Sequence, residues 1–420
     1  MKNILLFIGI SLSCAFTMKA QEFVEIENTE CFECHNDPEI EEERSDSTQV
    51  LFVDKTKFTD SIHGDMYCTE CHIDVTDSDH DEDLNKVTCG SSDCHEDSKE
   101  DIMASVHGET AMPEYPEDLP SCATCHGTHY IAEVADENSL MSKANQAKVC
   151  QQCHGDAAIV ARHDISAKHP VAEYSSSVHG KLAESGNNET ATCSDCHGQH
   201  KMLHSTDTNS TVYRINIAET CGVCHEAPKN QYVIGKHGKS VAKGRLDAPA
   251  CNDCHFEHNI ISKNDPKSPT ATVNMALQIC SPCHASERLV HRYGLLTDRV
   301  TSYEHSYHGL ALRGGKATVA NCGSCHGVHA VLPASDPRSL IHPDNLAATC
   351  GECHPNASKN FTESKIHLVA GTQEMTILSI VEQIYILLIF AVIGFMLLHN
   401  SLDFFVKAKH IRAQRYHGSK

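Results

Sequence analysis

The chain has no tryptophan and only 12 phenylalanines and 11 tyrosines in 420 residues. Aromatic side chains normally supply much of the buried area of a large protein, so this scarcity excludes an ordinary aromatic-rich core. Positive charge is also short: 34 Lys and Arg stand against 56 Asp and Glu, a formal charge of -22. A surface of that sign excludes nucleic acid as a partner and favours basic proteins or simple solubility. Acidic density is greatest between Glu22 and Asp101, in runs such as EIEEERSD and DSDHDED. The ordinary account of such runs is a solvated face, and DSDHDED lacks the loop Gly and terminal Glu of an EF-hand calcium site.

Long apolar runs occur only at the two ends. The first, from Ile4 to about Phe16, follows Lys2 and ends in small Ala20 before Gln21, the form of a secretory signal covering residues 1–20. A lipoprotein reading through Cys14 is weaker, because Ser11-Leu12-Ser13 is a poor approach to an acylated cysteine. The second run, Met375 to Leu398, is long enough to cross a hydrocarbon core of about 30 Å. Lys407, Lys409, Arg412, Arg415 and Lys420 follow it, whereas Glu363 and Glu374 precede it. The positive-inside rule then predicts a single-pass protein with a cytoplasmic C-terminus and residues 21–374 on the periplasmic side of a bacterial inner membrane.

Beyond the signal, no cysteine stands alone. Ten pairs are C-x-x-C-H: Cys31 and Cys34 with His35, Cys68 and Cys71 with His72, Cys122 and Cys125 with His126, Cys150 and Cys153 with His154, Cys193 and Cys196 with His197, Cys221 and Cys224 with His225, Cys251 and Cys254 with His255, Cys280 and Cys283 with His284, Cys322 and Cys325 with His326, and Cys350 and Cys353 with His354. The eleventh, Cys89 and Cys94 with His95, has four residues between its cysteines. Export would ordinarily suggest disulfides, but neighbours at this spacing seldom form structural bridges. Zinc sites would pair two C-x-x-C units without a histidine after each. The pattern fits covalent haem c: two thiols reach the vinyl groups on one porphyrin edge, and the next residue turns its imidazole under the iron. Eleven macrocycles in about 350 exported residues would themselves be the core, which accounts for the missing aromatics.

Seventeen further histidines precede the membrane run, enough for a second ligand at each iron. Five occur as H-G: His63, His107, His179, His237 and His308, often in S-x-H-G. Four follow a motif histidine at plus three: His129, His200, His258 and His329, while His80 trails His72 at plus eight. His367, in SKIHL, resembles a degenerate sixth member of the H-G class. These eleven are the candidate distal ligands. His163, His169, His204, His291, His305 and His342 recur at no fixed offset and read as ordinary surface or core residues. A plus-three histidine lies on the same side of the ring as its neighbour, so His129 is expected to serve a different iron from His126.

The recurrence is an internal repeat. His107 to His237, His179 to His308 and His237 to His367 are 130, 129 and 130 residues apart, which suggests duplication of a four-motif module. We expect a three-motif region at 21–106, an eight-motif region of two such modules at 107–374, a transmembrane helix at 375–405 and a basic tail at 406–420. The expected fold is mainly α and irregular, short helices and loops wrapped on haem, plus the C-terminal membrane helix.

C-x-x-C-H-G-x-H and S-x-H-G resemble signatures of the periplasmic multihaem cytochromes c, in particular their tetrahaem and octahaem members, over about residues 31–367. The resemblance implies eleven covalently bound haems c, stacked in parallel and perpendicular pairs within electron-hopping range. Bis-histidine iron has no open position for substrate and implies low potentials, so a non-catalytic electron-transfer subunit is expected. The alternative is a multihaem reductase of nitrite, hydroxylamine or sulfur oxyanions with one accessible haem, though no C-x-x-C-K is present. An extracellular haem filament fits poorly with a terminal membrane helix. Glu382, Gln383, Tyr385, His399 and Asp403 in or beside the apolar run are unneeded by a bare anchor. LLHNSLDFF resembles the first helix of b-type cytochromes in quinone-reactive complexes, which implies a membrane cytochrome b or quinone-binding partner, with a soluble periplasmic redox protein or terminal reductase at the other end.

Overall fold

A computed structural model describes residues 23–417 except 45–46, 81–83, 92, 297, 364–366 and 368–372. The expected signal segment lies outside the described residues. The chain falls into two compact units, one running to Asn216 and including His258–Ile260, the other comprising Ile217–Glu257 and the chain from Ile261.

The fold is helical and irregular, as expected. Most helices have four to nine residues, and the sequence pattern did not reveal one small addition, an antiparallel hairpin pairing Glu41–Arg44 with Ser47–Val50. Buried apolar side chains are mostly Val and Ala, with Phe58, Tyr232 and Tyr303 among the few large ones. With so few large buried side chains, hydrogen bonding shapes the chain, and three devices recur.

In the first, the motif is itself a short helix with a fixed stop. Cys122–His126, Cys193–His197 and Cys322–His326 begin at Ser121, Thr192 and Asn321, each in a reciprocal capping arrangement with the third helical residue. Each stops at a glycine of positive φ, Gly127, Gly198 and Gly327. Only glycine enters that region without strain. The fourth copy, Cys251–His255, has Phe256 there at φ 65°, a conformation a bulky residue adopts at some cost. This reversal after the motif histidine turns the chain so that the plus-three histidine leaves in another direction.

In the second, the H-G dipeptide sits under a preceding helix. A Cβ on Gly180 would lie 2.1 Å from the Tyr174 carbonyl oxygen, and one on Gly238 would lie 2.3 Å from that of Tyr232. No side chain fits, which explains the invariant partner of these histidines. Tyr174, Tyr232 and Tyr303 each donate a hydroxyl hydrogen bond to the backbone two residues before the next motif, at Ala191 (2.9 Å), Pro249 (2.7 Å) and Ala320 (2.9 Å).

In the third, the peptide after a trailing histidine docks on an earlier H-G segment. Ile62 N–H donates to Ile131 O, Val106 to Met202, Val178 to Ile260 and Lys236 to Val331, all at 2.8–2.9 Å. In every case the donor precedes an H-G histidine by one and the acceptor follows a plus-three histidine by two.

The C-terminal helix, Gln373–His417, is 45 residues long, and Ser379–Arg412 is apolar enough to cross a membrane. At about 1.5 Å per residue it is longer than a hydrocarbon core is thick.

Candidate haem-binding sites

No disulfide joins any of the 22 motif cysteines. They nevertheless approach one another in a regular way. The first cysteines of successive motifs lie within hydrogen-bonding reach in five couples: Cys31 with Cys68, Cys89 with Cys122, Cys150 with Cys193, Cys221 with Cys251, and Cys280 with Cys322. Burial, followed by the charge and hydrogen bond of Cys31, pushes the Cys68 thiol up to about 12. Attachment edges of consecutive motifs are therefore adjacent.

The histidines pair just as regularly. Ten motif histidines face a candidate distal histidine: His35 faces His80, His72 faces His129, His95 faces His63, His126 faces His200, His154 faces His107, His197 faces His258, His255 faces His329, His284 faces His237, His326 faces His367 and His354 faces His308. Ring-centre separations run only from 6.0 to 6.2 Å. Two imidazoles in direct contact have no reason to keep so constant a gap. An ion between them does: metal–imidazole bonds of about 2 Å on each side, plus the distance from nitrogen to ring centre, give about 6 Å. The donor set of two thiols, a proximal imidazole and an opposed imidazole fits haem c at each of these positions. Of the two remaining candidates, His179 is on the helix Val178–Glu184 of the first unit, and His225 caps the helix Glu226–Ile234 of the second.

Ring planes differ between the two ligand classes in their range. Pairs with an H-G histidine cross at 66° (His63), 79° (His107), 56° (His237) and 47° (His308). Pairs with a trailing histidine run from 6° between His197 and His258 to 46° between His126 and His200. His367 differs from its expected class. It stands opposite His326, the place that His200, His258 and His329 take opposite the motif histidines of earlier repeats. No further motif follows His354 to supply a trailing histidine, and His367 takes that position instead.

Burial favours ligation. It lowers the pKa of His72, His107, His126, His129, His154, His255, His284, His308, His326, His329 and His367, and pushes His237 down to about 4. A neutral imidazole is the form that binds iron. Backbone and hydroxyl partners orient some rings: His35 Nδ1 lies 2.9 Å from Leu51 O and His367 Nδ1 lies 3.0 Å from Ser302 Oγ, leaving Nε2 for a metal.

The sequence pattern missed one positioning element. Between each plus-three histidine and the next motif runs D-x-x-S with a later Asn, at Asp136/Ser139/Asn145, Asp207/Ser210/Asn216, Asp265/Ser268/Asn274 and Asp336/Ser339/Asn345. Each Asn amide donates to two loop carbonyls, for Asn345 those of Pro337 and Ser339, both at 2.8 Å. The Ser210, Ser268 and Ser339 hydroxyls donate to Leu203, Ile261 and Leu332, three residues after the trailing histidines. The fixed spacing of Ser and Asn was the available signal. Spare histidines have other duties: His163 Nε2 lies 2.8 Å from the buried Asp118 carboxylate, which Arg162 also contacts at 3.2 Å.

Residues 117–159 match the family described as Doubled CXXCH motif. The chain is 27% identical over 205 residues to multiheme cytochrome MtrA of Shewanella baltica, covering 46% of this chain and 52% of that protein. It is 26% identical over 176 residues to cytochrome c-type protein NrfB of Escherichia coli, covering 39% of this chain and 81% of that protein. The chain thus spans about half the length of the first of these relatives. No solved structure matches. The doubled motif and these likenesses support a multihaem c-type cytochrome with an electron-transfer role.

Proposed function

We propose that all eleven motifs bind haem c and that the chain passes electrons between a membrane quinone or cytochrome b partner and a soluble redox protein. The constant 6.0–6.2 Å separation of ten histidine pairs carries this reading. When bound, haem supplies a one-electron iron couple. The residues would do the rest: the thiols would tether each macrocycle, and the motif histidine and the opposed histidine would both ligate its iron. Ten sites so closed leave no iron position for a substrate, which argues against nitrite, hydroxylamine or sulfur-oxyanion reduction there. Adjacent first cysteines, such as Cys150 and Cys193, bring neighbouring attachment edges together, as electron hopping requires.

Export by residues 1–20, the Ser379–Arg412 helix as anchor and the basic residues after it would set the cytochrome on the periplasmic face with its C-terminus in the cytoplasm. Glu382, Gln383, His399 and Asp403 would face the membrane partner rather than lipid. Extraction of the membrane complex, haem typing and an assay of electron exchange with a quinone–quinol couple test this. Eleven haems c, co-purifying haem b and exchange of electrons with that couple are expected. A complex with haem c alone and no exchange with quinone would overturn the partner assignment.

A further inference from the structure

Charge is distributed very unevenly along the chain. Residues 21–106, with the motifs of His35, His72 and His95, contain 26 acidic and 5 basic residues. Residues 217–371, with five motifs, contain 13 acidic and 15 basic residues. A ferric haem carries one more positive charge than a ferrous one, so carboxylates within a Debye length of about 8–10 Å favour the oxidised form and cations favour the reduced form.

The structure places such groups at the ligands. Glu70 lies inside the motif of Cys68 and Cys71, and its carboxylate accepts from Tyr67 N at 2.8 Å. Asp74, two residues past His72, is held by the backbone N–H of Asn85 at 2.6 Å and its side-chain amide at 3.1 Å. His35 Nδ1 faces the Leu51 carbonyl at 2.9 Å, a strong acceptor that makes the imidazole more electron-rich. Toward the C-terminus the acidic excess is gone. Arg299 donates to the His367 carbonyl oxygen at 3.4 Å, the Asp298 carboxylate also acts on that histidine, and His367 Nδ1 lies 3.0 Å from the Ser302 hydroxyl.

Resting on the function proposed above, we infer that the carboxylates of residues 21–106 make its three haem sites the low-potential end, and that the nearly balanced charge of residues 217–371, with Arg299 at His367, makes the C-terminal sites the high-potential end. Electrons then enter at the acidic end from a soluble one-electron reductant with a basic docking face. They leave at the membrane end, where two electrons and two protons from water convert a quinone to its quinol. Each transfer oxidises one iron and reduces the next, so no other oxidant is needed.

Spectroelectrochemical titration of the detergent-solubilised full-length chain at low and high ionic strength tests this. About three elevenths of the haem absorbance should titrate at the lowest potentials and move positive as salt rises, with little movement of the upper set. The Cys68→Ser/Cys71→Ser variant should lose amplitude from the salt-sensitive set. Arg299→Gln should lower the potential of one upper haem at unchanged haem count. Loss of amplitude from the upper set in the cysteine variant, or an equal salt shift for all haems, would overturn the inference. A haem count well below eleven would instead overturn the function on which it rests, and intact mass reads that separately.

Discussion

His129 lies three residues after His126 and yet faces His72, ring centre to ring centre at 6.1 Å, while His126 faces His200 at 6.1 Å. One octapeptide, Cys122 to His129, therefore contributes to two sites. Removing the trailing histidine should leave its own motif's iron intact and open the neighbour's. In His129→Ala we expect one haem in eleven to become high-spin and bind carbon monoxide, with loss confined to the haem of Cys68 and Cys71. Equal perturbation of the haem at Cys122 and Cys125 would contradict the pairing.

The H-G glycines stand where a Cβ would strike backbone. Gly180→Ala would bring its Cβ within 2.1 Å of the Tyr174 carbonyl oxygen, whereas Gly186 has open space and only a positive φ. Overpacking costs about 1–3 kcal/mol or more, and the left-handed conformation about 1–2 kcal/mol. Thermal unfolding should show Gly180→Ala as the more destabilised of the two. Gly180→Ala should also disturb ligation by the adjacent His179.

Asn345 closes its loop with two amide hydrogen bonds at 2.8 Å. Asn345→Ala leaves the Pro337 and Ser339 carbonyls without that donor, at a cost of about 1–3 kcal/mol. Denaturant unfolding should report the loss, and haem attachment at Cys350 and Cys353 should become less complete.

Asp195 links the Cys193–Cys196 motif to Lys143, with an Oδ2–Nζ distance of 2.7 Å. Burial alone would raise its pKa, but hydrogen bonds from Lys143 and Thr192 outweigh burial and hold it below the usual carboxylate range. A depressed folded-state pKa adds stability above the unfolded pKa of about 4, and that stability is lost as pH falls through the lower folded value. The stability of Asp195→Asn should therefore fall below that of the parent at neutral pH and converge with it in acid. A constant difference across the whole range would contradict the linkage.

Chain exported without haem attachment should oxidise across motifs rather than within them, because Cys31 meets Cys68 and Cys280 meets Cys322. Peptide mapping of unreduced apo-protein should find those links. Links confined to each C-x-x-C would contradict the thiol geometry.

Much of this architecture is legible in the sequence because covalent haem attachment needs fixed spacing. C-x-x-C-H, H-G and the plus-three histidine are local patterns, and the four motif helices followed by a plus-three histidine run from the first cysteine to the motif histidine. What was hidden is non-local. No spacing rule says that His367, grouped by sequence with H-G residues, stands opposite His326 in the trailing position. The Ser339–Leu332 and Asn345–Pro337 bonds likewise depend on a loop folding on itself, and their residue types are common in any turn. Phe256, at φ 65° where three repeats have glycine, shows that the repeat keeps the turn even where the residue resists it.

The central claim is that each iron is held between two histidines. Electron paramagnetic resonance of the fully oxidised protein tests it most directly. The account predicts low-spin bis-imidazole signals only, spread between the steep crossing of His107 and His154 (79°) and the near-parallel rings of His197 and His258 (6°). A high-spin signal of about one haem or more per chain would contradict it and restore a substrate-accessible iron.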